Sequence, residues 1–253
     1  MTERQKNIAP KGTIKKSTVK EQEIKHFQKD SAHWWDESGA FAPLHKLNPT
    51  RIEFIKGQIL EHFKTDSLKN LDILDIGCGG GLVCEPLARL GANVSGIDAD
   101  EQAIQVAQDH ARQQGLKIDY TCTNSETICQ ENKKYDVVCA LEIIEHVDTP
   151  DVFLKTCLEC LKPNGLIIIS TLNRTPQSFL LGIVAAEHIL GWVPKGTHHW
   201  KQFVKPHEIR RLLAKENFSI KTINGLNYSI LKKEFNLSTE DISNNYILSA
   251  STT

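Results

Sequence analysis

The sequence predicts an α/β protein whose largely parallel sheet of seven strands carries a helical insertion after the fifth strand. Short runs rich in β-branched residues alternate with helical runs, which is typical of repeated βαβ units. A glycine-rich turn follows the first of these runs, at the place where such sheets bind ligands. The 253 residues suit one folded domain, expected over 23–253, after a disordered basic N-terminal arm over 1–22.

Each element is assigned from its own pattern. N-terminal helices are expected over 23–65; the first ends at Trp34-Trp35, which we expect to pack on the domain rather than contact a ligand. The second begins at Asn48-Pro49, because proline favours the first turn of a helix. Strands are expected at 71–76, 93–98, 117–123, 135–143 and 166–171, with two more near 220–223 and 246–249. Helices are expected at 81–90, 101–114, 149–161 and 206–217.

The insertion, about 173–205, is far longer than the usual connection of an α/β fold. Its apolar part, 179–193, is shorter than the roughly 20 residues that span a bilayer, and Glu187 interrupts it. Residues 173–215 hold seven basic and two acidic residues, a net charge of +5 within a chain of net charge -1. Basic flanks around an apolar helix predict either contact with anionic lipids or a lid over the site. The near-zero total charge predicts no nucleic-acid partner.

The glycine-rich turn carries the prediction of a cofactor. Gly77 opens a run of alternating glycines, and Asp98 lies at the end of the next strand, where a carboxylate can bind ribose hydroxyls. Leu82 stands where a dinucleotide site needs glycine or alanine, and the acidic Asp75 would repel a pyrophosphate. A carboxylate there suits a sulfonium or an amino group instead. The pattern resembles the S-adenosylmethionine (SAM) site of class I methyltransferases.

A second candidate site follows the fourth strand. Glu142, Glu145 and His146 are spaced so that a helical turn would place them on one face. Two carboxylates and an imidazole suit Mg²⁺ or Zn²⁺, although a hydrogen-bonded loop explains the spacing equally well. His146 also suits a general base, because a phenol with a pKa of about 10 is scarcely ionised at pH 7.

The cysteines and the N-terminal residues indicate the kind of cellular compartment in which the protein folds. The seven cysteines are an odd number scattered through apolar segments, unlike a secreted disulfide framework, so we expect free thiols in a reducing compartment. Cys157 and Cys160 are expected to be core or surface thiols. The first residues contain no apolar stretch of the length of a signal peptide, which argues against secretion.

The motifs together resemble one family over about 23–250. They are WWD at 34–36, PLHKLNPTR ending at Arg51, LDIGCGGG, EIIEHV, STLNRT and VPKGTHHWKQFVKP, and they resemble those of the ubiquinone biosynthesis O-methyltransferases. The resemblance implies a Rossmann-like, seven-stranded class I SAM-dependent methyltransferase fold. It also implies methylation of ring hydroxyls of 2-polyprenyl-6-hydroxyphenol and 3-demethylubiquinol.

The same resemblance assigns roles to individual residues. SAM would contact Arg51, Gly77, Asp98 and Leu141. A divalent metal, Mg²⁺ or else Zn²⁺, would be bound by Glu142, Glu145 and His146. Apart from the resemblance, the chemistry of the turn makes His146 and Glu142 the expected catalytic residues.

The resemblance further implies partners and a location. The substrate would be a polyprenyl phenol or quinol, and anionic membrane lipids would be contacted through about 174–205, with other ubiquinone biosynthesis proteins as further partners. The protein would be cytoplasmic and peripheral on the inner membrane of a bacterium, or on the matrix side of the inner mitochondrial membrane. Two alternatives are an O-methyltransferase for another small phenol or catechol, and a non-catalytic methyltransferase-fold subunit of a membrane-bound biosynthetic complex.

Overall fold

The computed structural model describes residues 28, 30–129, 133–179, 200–229 and 231–253. Within these ranges one sheet contains eight strands, in the order β3-β2-β1-β4-β5-β8-β6-β7. The strands are β1 Asp72–Ile76, β2 Asn93–Asp98, β3 Asp119–Cys122, β4 Tyr135–Leu141, β5 Leu161–Leu172, β6 Phe218–Ser229, β7 Glu234–Ser238 and β8 Asn245–Thr252.

The first five strands are parallel, and β8, β6 and β7 add antiparallel pairs at one side. β1 lies between β2 and β4, so the chain reverses its direction of travel across the sheet at β1. Ligands of open α/β sheets bind at such a point, beyond the carboxyl ends of the strands. The turns after β1 and β4 therefore lie together at the predicted site.

Helices cover both faces of the sheet. They are α1 Ala42–Phe63, α2 Cys84–Arg89, α3 Glu101–Gln113, α4 Ser125–Ile128, α5 Pro150–Glu159, α6 Pro176–Ser178 and α7 Pro206–Lys215. Ile55 and Ile59 of α1 belong to the core on one face, and Leu154 of α5 and Leu213 of α7 belong to the core on the other. No helix in the described ranges combines the length and apolar character that a membrane crossing requires.

The fold confirms the predicted class and corrects several details. Strands lie at all seven predicted positions, and β7 is an additional edge strand paired with β6. The predicted helix start at Asn48-Pro49 is wrong, because α1 begins at Ala42 with Pro43 in its first turn and Pro49 inside it. The strand predicted to begin at Leu166 begins at Leu161, where that residue pairs with Tyr135 of β4.

One cysteine prediction is also wrong. Cys129 and Cys160 form a disulfide, with their Cα atoms 5.2 Å apart, instead of carrying free thiols. Cys157 is a free and buried thiol, as predicted. The arm over 1–22, the start of the first helix near Glu23, and the insertion over 180–199 with Trp192 and His198-His199 lie outside the described residues.

Candidate active site

The glycine turn joins β1 to the segment that leads into α2. The amide nitrogens of Gly77 and Cys78 both donate to Ile97 O of β2, at 2.8 and 3.0 Å. Gly77, Gly79 and Gly81 have φ values of +76°, +51° and +88°, a conformation that glycine adopts without a steric penalty. The turn is thus fixed to the neighbouring strand by backbone bonds that need this glycine pattern.

Side chains of the protein already fill the space where a Cβ would project from each of these glycines. A Cβ on Gly77 would lie 2.4 Å from Ile143 Cδ1, and one on Gly81 would lie 2.2 Å from the Tyr120 hydroxyl. A Cβ on Gly79 or Gly80 would lie 2.4 Å from atoms of Trp34. The glycines are therefore required for internal packing at the turn, a reason that the sequence pattern alone does not show.

Two aspartates lie beside this turn. Asp98 accepts bonds from Gly79 N and Asp100 N, each at 2.9 Å, one on each carboxylate oxygen. Burial raises the pKa of Asp98 despite these bonds. Asp75 on β1 is buried, receives a bond from Cys84 Sγ at 3.4 Å, and has its pKa raised by burial to about 7. Both carboxylates are positioned at the ends of adjacent strands, as predicted.

Arg51 reaches the site from α1. The residue is 4% exposed, and its Nη2 lies 3.3 Å from Glu142 Oε1. Within the described part of the chain, its Nε has no hydrogen-bond acceptor, and its Nη2 contacts Glu142 as an ion pair without hydrogen-bond geometry. A buried guanidinium with unused donors has the chemistry to bind a carboxylate.

The turn after β4 has an unusual backbone. Leu141 is buried at the end of the strand, and Glu142 follows it with φ of +51°. Glu142 N donates to Ser170 O at 2.9 Å, and Ser170 Oγ donates to Glu142 Oε1 at 2.8 Å. Two bonds to β5 and the ion pair with Arg51 hold this strained residue in place.

Glu145, unlike the half-buried Glu142, is almost completely buried. It lies in the 3-10 turn Ile144–His146 and is 3% exposed. Among the described residues, neither of its carboxylate oxygens meets a donor in full hydrogen-bond geometry, although the neighbouring Thr171 hydroxyl is close enough to favour the ionised form. Burial, and then the nearby Glu142, raise the pKa of Glu145 to about 7. His146 follows at the end of this turn and is half-buried.

The predicted metal centre is not supported. Glu142 lies outside the 3-10 turn that carries Glu145 and His146, so the three side chains do not share one helical face. Across the ranges that the structure describes, no group of three or more His, Cys, Asp or Glu side chains is arranged to hold a metal ion. The buried oxygens of Glu145 suit a cation, but the arrangement of Glu142 toward Arg51 does not complete a site. No chemical step is therefore derived through a metal.

Trp34 and Trp35 contact the glycine turn, a proximity that the sequence does not reveal. The Trp34 ring lies against Gly79 and Gly80, and Trp35 Nε1 donates to Gly80 O at 3.0 Å. The expectation that this pair packs on the domain holds, but the surface it packs on is the predicted cofactor turn. An aromatic pair some 45 residues upstream gives no sequence signal of that contact.

The two ends of the insertion are held together beside the carboxyl end of β5. Trp200 Nε1 donates to Thr175 O at 2.9 Å, and Arg174 forms an ion pair with Glu208 of α7. Phe179 is 47% exposed and meets the Trp200 ring edge to face at 6.2 Å. The described stem of the insertion thus presents an exposed aromatic ring near basic side chains.

Comparison with known proteins gives consistent results. The family model "Methyltransferase domain" matches residues 44–223. The ubiquinone biosynthesis O-methyltransferase of Pelagibacter ubique is 46% identical over 235 residues, which cover 91% of this chain and 97% of the relative. That of Bartonella bacilliformis is 46% identical over 238 residues, covering 92% and 96%.

Solved structures share the fold at low sequence identity. Magnesium protoporphyrin IX methyltransferase from Synechocystis, with bound SAH, has a TM-score of 0.62 at 20% identity and covers 89% of this chain and 93% of that chain. The plantazolicin methyltransferase in complex with SAH has a TM-score of 0.60 at 20% identity, covering 92% and 98%. These structures place the described architecture among the Rossmann-like methyltransferase folds.

Proposed function

The chain belongs to the ubiquinone biosynthesis O-methyltransferases, and from that premise we propose that this SAM-dependent enzyme methylates 2-polyprenyl-6-hydroxyphenol and 3-demethylubiquinol at a membrane surface. The observation that supports the proposed site best is the buried Arg51, which pairs with Glu142 after β4 and keeps donors that make no hydrogen bond among the described residues. The related methyltransferases and the glycine turn support SAM as the donor.

The proposed cofactor contacts follow from the donors and acceptors available. Arg51 would bind the carboxylate of SAM, because its Nε and Nη2 make no hydrogen bond among the described residues. Asp98 would accept bonds from the ribose hydroxyls, since two backbone amides already fix the orientation of its carboxylate. Gly77 and the buried Leu141 would form the turn and the apolar wall between them.

The chemistry proposed at this site is the transfer of a methyl group to a phenolic oxygen. When bound, SAM supplies the methyl group on its sulfonium centre. His146 would accept the phenol proton as a general base, because a phenol with a pKa of about 10 is mostly neutral at pH 7. Glu142 would hold the acceptor side of the site in place through Ser170 and Arg51. Alignment of the reacting atoms in a dry pocket supplies the remaining rate enhancement.

The membrane part of the proposal rests on the stem of the insertion. A polyprenyl chain partitions into the bilayer, so the enzyme has to meet its substrate there. Phe179 is exposed at the start of the insertion, and Lys201 is exposed at its end. Aromatic and basic side chains together favour an interface with anionic lipids. A lid that closes over the pocket is the alternative for the same segment.

Methyl transfer to a defined quinol tests the central proposal. The purified protein is incubated with SAM, a demethylated ubiquinol and anionic liposomes, with and without a chelator. We expect a methylated quinol and SAH in equal amounts. Absence of transfer would refute the assigned reaction, whereas loss of transfer only with the chelator, restored by Mg²⁺, would show that a divalent metal takes part.

A matched pair of variants tests the lipid contact. Phe179→Asp places a charge on the exposed ring position, and we expect lower co-sedimentation with anionic liposomes. Leu231→Asp is the control, because it introduces the same charge at another exposed apolar side chain, which is 97% exposed in the turn between β6 and β7. Equal co-sedimentation of the two variants and the unaltered protein would contradict the membrane proposal. A lid over the pocket would then be the remaining role for the insertion.

A further inference from the structure

We propose that residues 31–36, the tryptophan cover, form one wall of the SAM site, and that Trp34 donates its indole N–H to an acceptor atom of the cofactor. Trp35, His110 and Glu85 position Trp34 for that contact. The inference deepens the proposed function, because it rests on a cofactor bound at the glycine turn.

Trp34 is held between two surfaces. One face of its indole stacks on Phe41, with ring centroids 3.8 Å apart and an angle of 7° between the planes. The ring also lies across Gly79 and Gly80, close enough that a Cβ on either glycine would clash with it. His45 Nε2 bonds to Trp34 O at 2.8 Å and fixes the backbone from α1. The indole therefore has little freedom to change its orientation.

The indole nitrogen of Trp34 lacks a partner. Nε1 is buried, and none of the residues described in the structure accepts a hydrogen bond from it. The carbonyl of Gly80, directly beside the ring, already accepts from Trp35 Nε1 at 3.0 Å. A buried N–H without an acceptor is unfavourable, so a ligand that supplies one gains affinity from this donor. The ribose oxygens and the carboxylate of SAM are acceptors of this kind.

The tryptophan cover packs on His110, which is held in place by the buried Glu85. Trp35 stacks on the imidazole of His110, with centroids 3.6 Å apart and planes at 12°. His110 Nδ1 lies 2.5 Å from Glu85 Oε1, and Arg89 Nη2 lies 2.9 Å from Glu85 Oε2. Glu85 is fully buried at the start of α2, so its position is fixed by the fold. The imidazole is thus a rigid platform for Trp35.

The cover is also joined to the acidic strand end. Ser31 Oγ donates to Asp100 Oδ2, and Asp100 N donates to Asp98 Oδ1. Asp98 in turn accepts from Gly79 N, so the cover, the proposed ribose carboxylate and the glycine turn form one bonded unit. A displacement of the cover therefore changes the cofactor site directly. Its effect on the acceptor side of the pocket is indirect.

The test uses SAH as the probe. Trp34→Phe keeps a ring on Gly79 and Phe41 but removes the N–H, and we expect the Kd for SAH to rise roughly tenfold. The KM for SAM should rise by a similar factor, while kcat at saturating SAM changes less than about twofold. SAH should also alter the intrinsic fluorescence of the unaltered protein, and the Trp34→Phe variant should lose that change.

A second variant separates positioning from stability. His110→Gln keeps a donor for Glu85 but removes the ring under Trp35, and we expect weaker SAH binding with kcat largely retained. His62→Gln, at a half-buried histidine near the end of α1, is the control and should bind SAH normally. The inference is overturned if Trp34→Phe and His110→Gln lower only the melting temperature and bind SAH like the control. Failure of the unaltered protein to bind SAH would refute the SAM site itself, and the inference with it.

Discussion

Replacement of Glu145 by glutamine should stabilise the protein more at pH 8 than at pH 5. Glu145 is 3% exposed, and its oxygens lack partners within the described ranges. Burial and Glu142 raise its pKa from the ordinary 4.5 to about 7. The folded protein therefore binds this proton more tightly than the unfolded chain does. The free energy of unfolding falls as the pH rises from the pKa of Glu145 in the unfolded chain to its pKa in the folded protein. Above the folded pKa, this contribution no longer changes with pH.

The size of the effect follows from the two pKa values. Their difference corresponds to about 3 kcal/mol of lost stability at pH 8, because one pH unit corresponds to about 1.4 kcal/mol. At pH 5 the loss is about 1 kcal/mol, because pH 5 lies only about half a unit above the pKa of the unfolded chain. The glutamine amide is neutral, so any hydrogen-bonding penalty that it incurs is the same at both pH values. We therefore expect Glu145→Gln to be more favourable at pH 8 than at pH 5 by about 2 kcal/mol.

Urea unfolding of the ligand-free protein at the two pH values measures this difference. Glu61→Gln is the matched control, because Glu61 is a solvent-exposed glutamate of α1. An equal effect of Glu145→Gln at pH 5 and pH 8 would refute the reasoning, since it would show that the carboxylate is not held in its protonated form by burial. The control should show no such difference.

Three further sites, with one compensating substitution, test the packing and charge of the pocket. Gly77→Ala should lower the melting temperature through its φ of +76° and the clash with Ile143 Cδ1, and Ile143→Val, which removes that methyl group, should restore part of the loss in calorimetry. Arg51→Met should raise the Kd for SAH more than tenfold by isothermal titration; an unchanged Kd would exclude Arg51 as a cofactor ligand. Asp98→Asn should weaken SAH binding and reduce the free energy of unfolding by about 1–3 kcal/mol, because an amide cannot accept from both Gly79 N and Asp100 N.

The parts of the fold that the sequence predicts are those with a local pattern. The β-branched runs of β1, β2 and β5 are buried on both faces, so their composition alone identifies them. β7, with the sequence EFNLS, has no such run and is only half-buried at the sheet edge. Its pairing with β6 depends on a contact between strands, which no local pattern in the sequence shows.

The start of α1 likewise depends on contacts that are distant in sequence. Two prolines lie in PLHKLNP, and the local pattern favours the second as the first turn of the helix. In the structure, Pro43 occupies that first turn, and burial of Leu47 in the core stabilises a helix that continues through Pro49. Tertiary packing here outweighs the loss of one backbone hydrogen bond.

In the candidate site too, the sequence predicts the features with a local pattern and misses those that depend on tertiary contacts. Asp75, Gly77 and Asp98 follow from strand ends and spacing, and the structure places them together. The left-handed backbone of Glu142 could not be predicted, because it depends on Ser170 of another strand and on Arg51 of a distant helix. That single conformation removes Glu142 from the face of Glu145 and His146, and with it the geometric argument for a metal.

The charges of the site then argue for a cationic ligand. Asp75, Asp98, Glu142 and Glu145 bring four carboxylates to this region, and the Arg51 guanidinium pairs directly with one of them. Burial raises the pKa of Asp75 and of Glu145 to about 7, so a nearby positive charge would shift both toward the ionised form. SAM carries a sulfonium and an amino group, whereas its product SAH has lost the sulfonium charge. The same carboxylates would therefore favour the donor over the product, which promotes release of SAH after transfer.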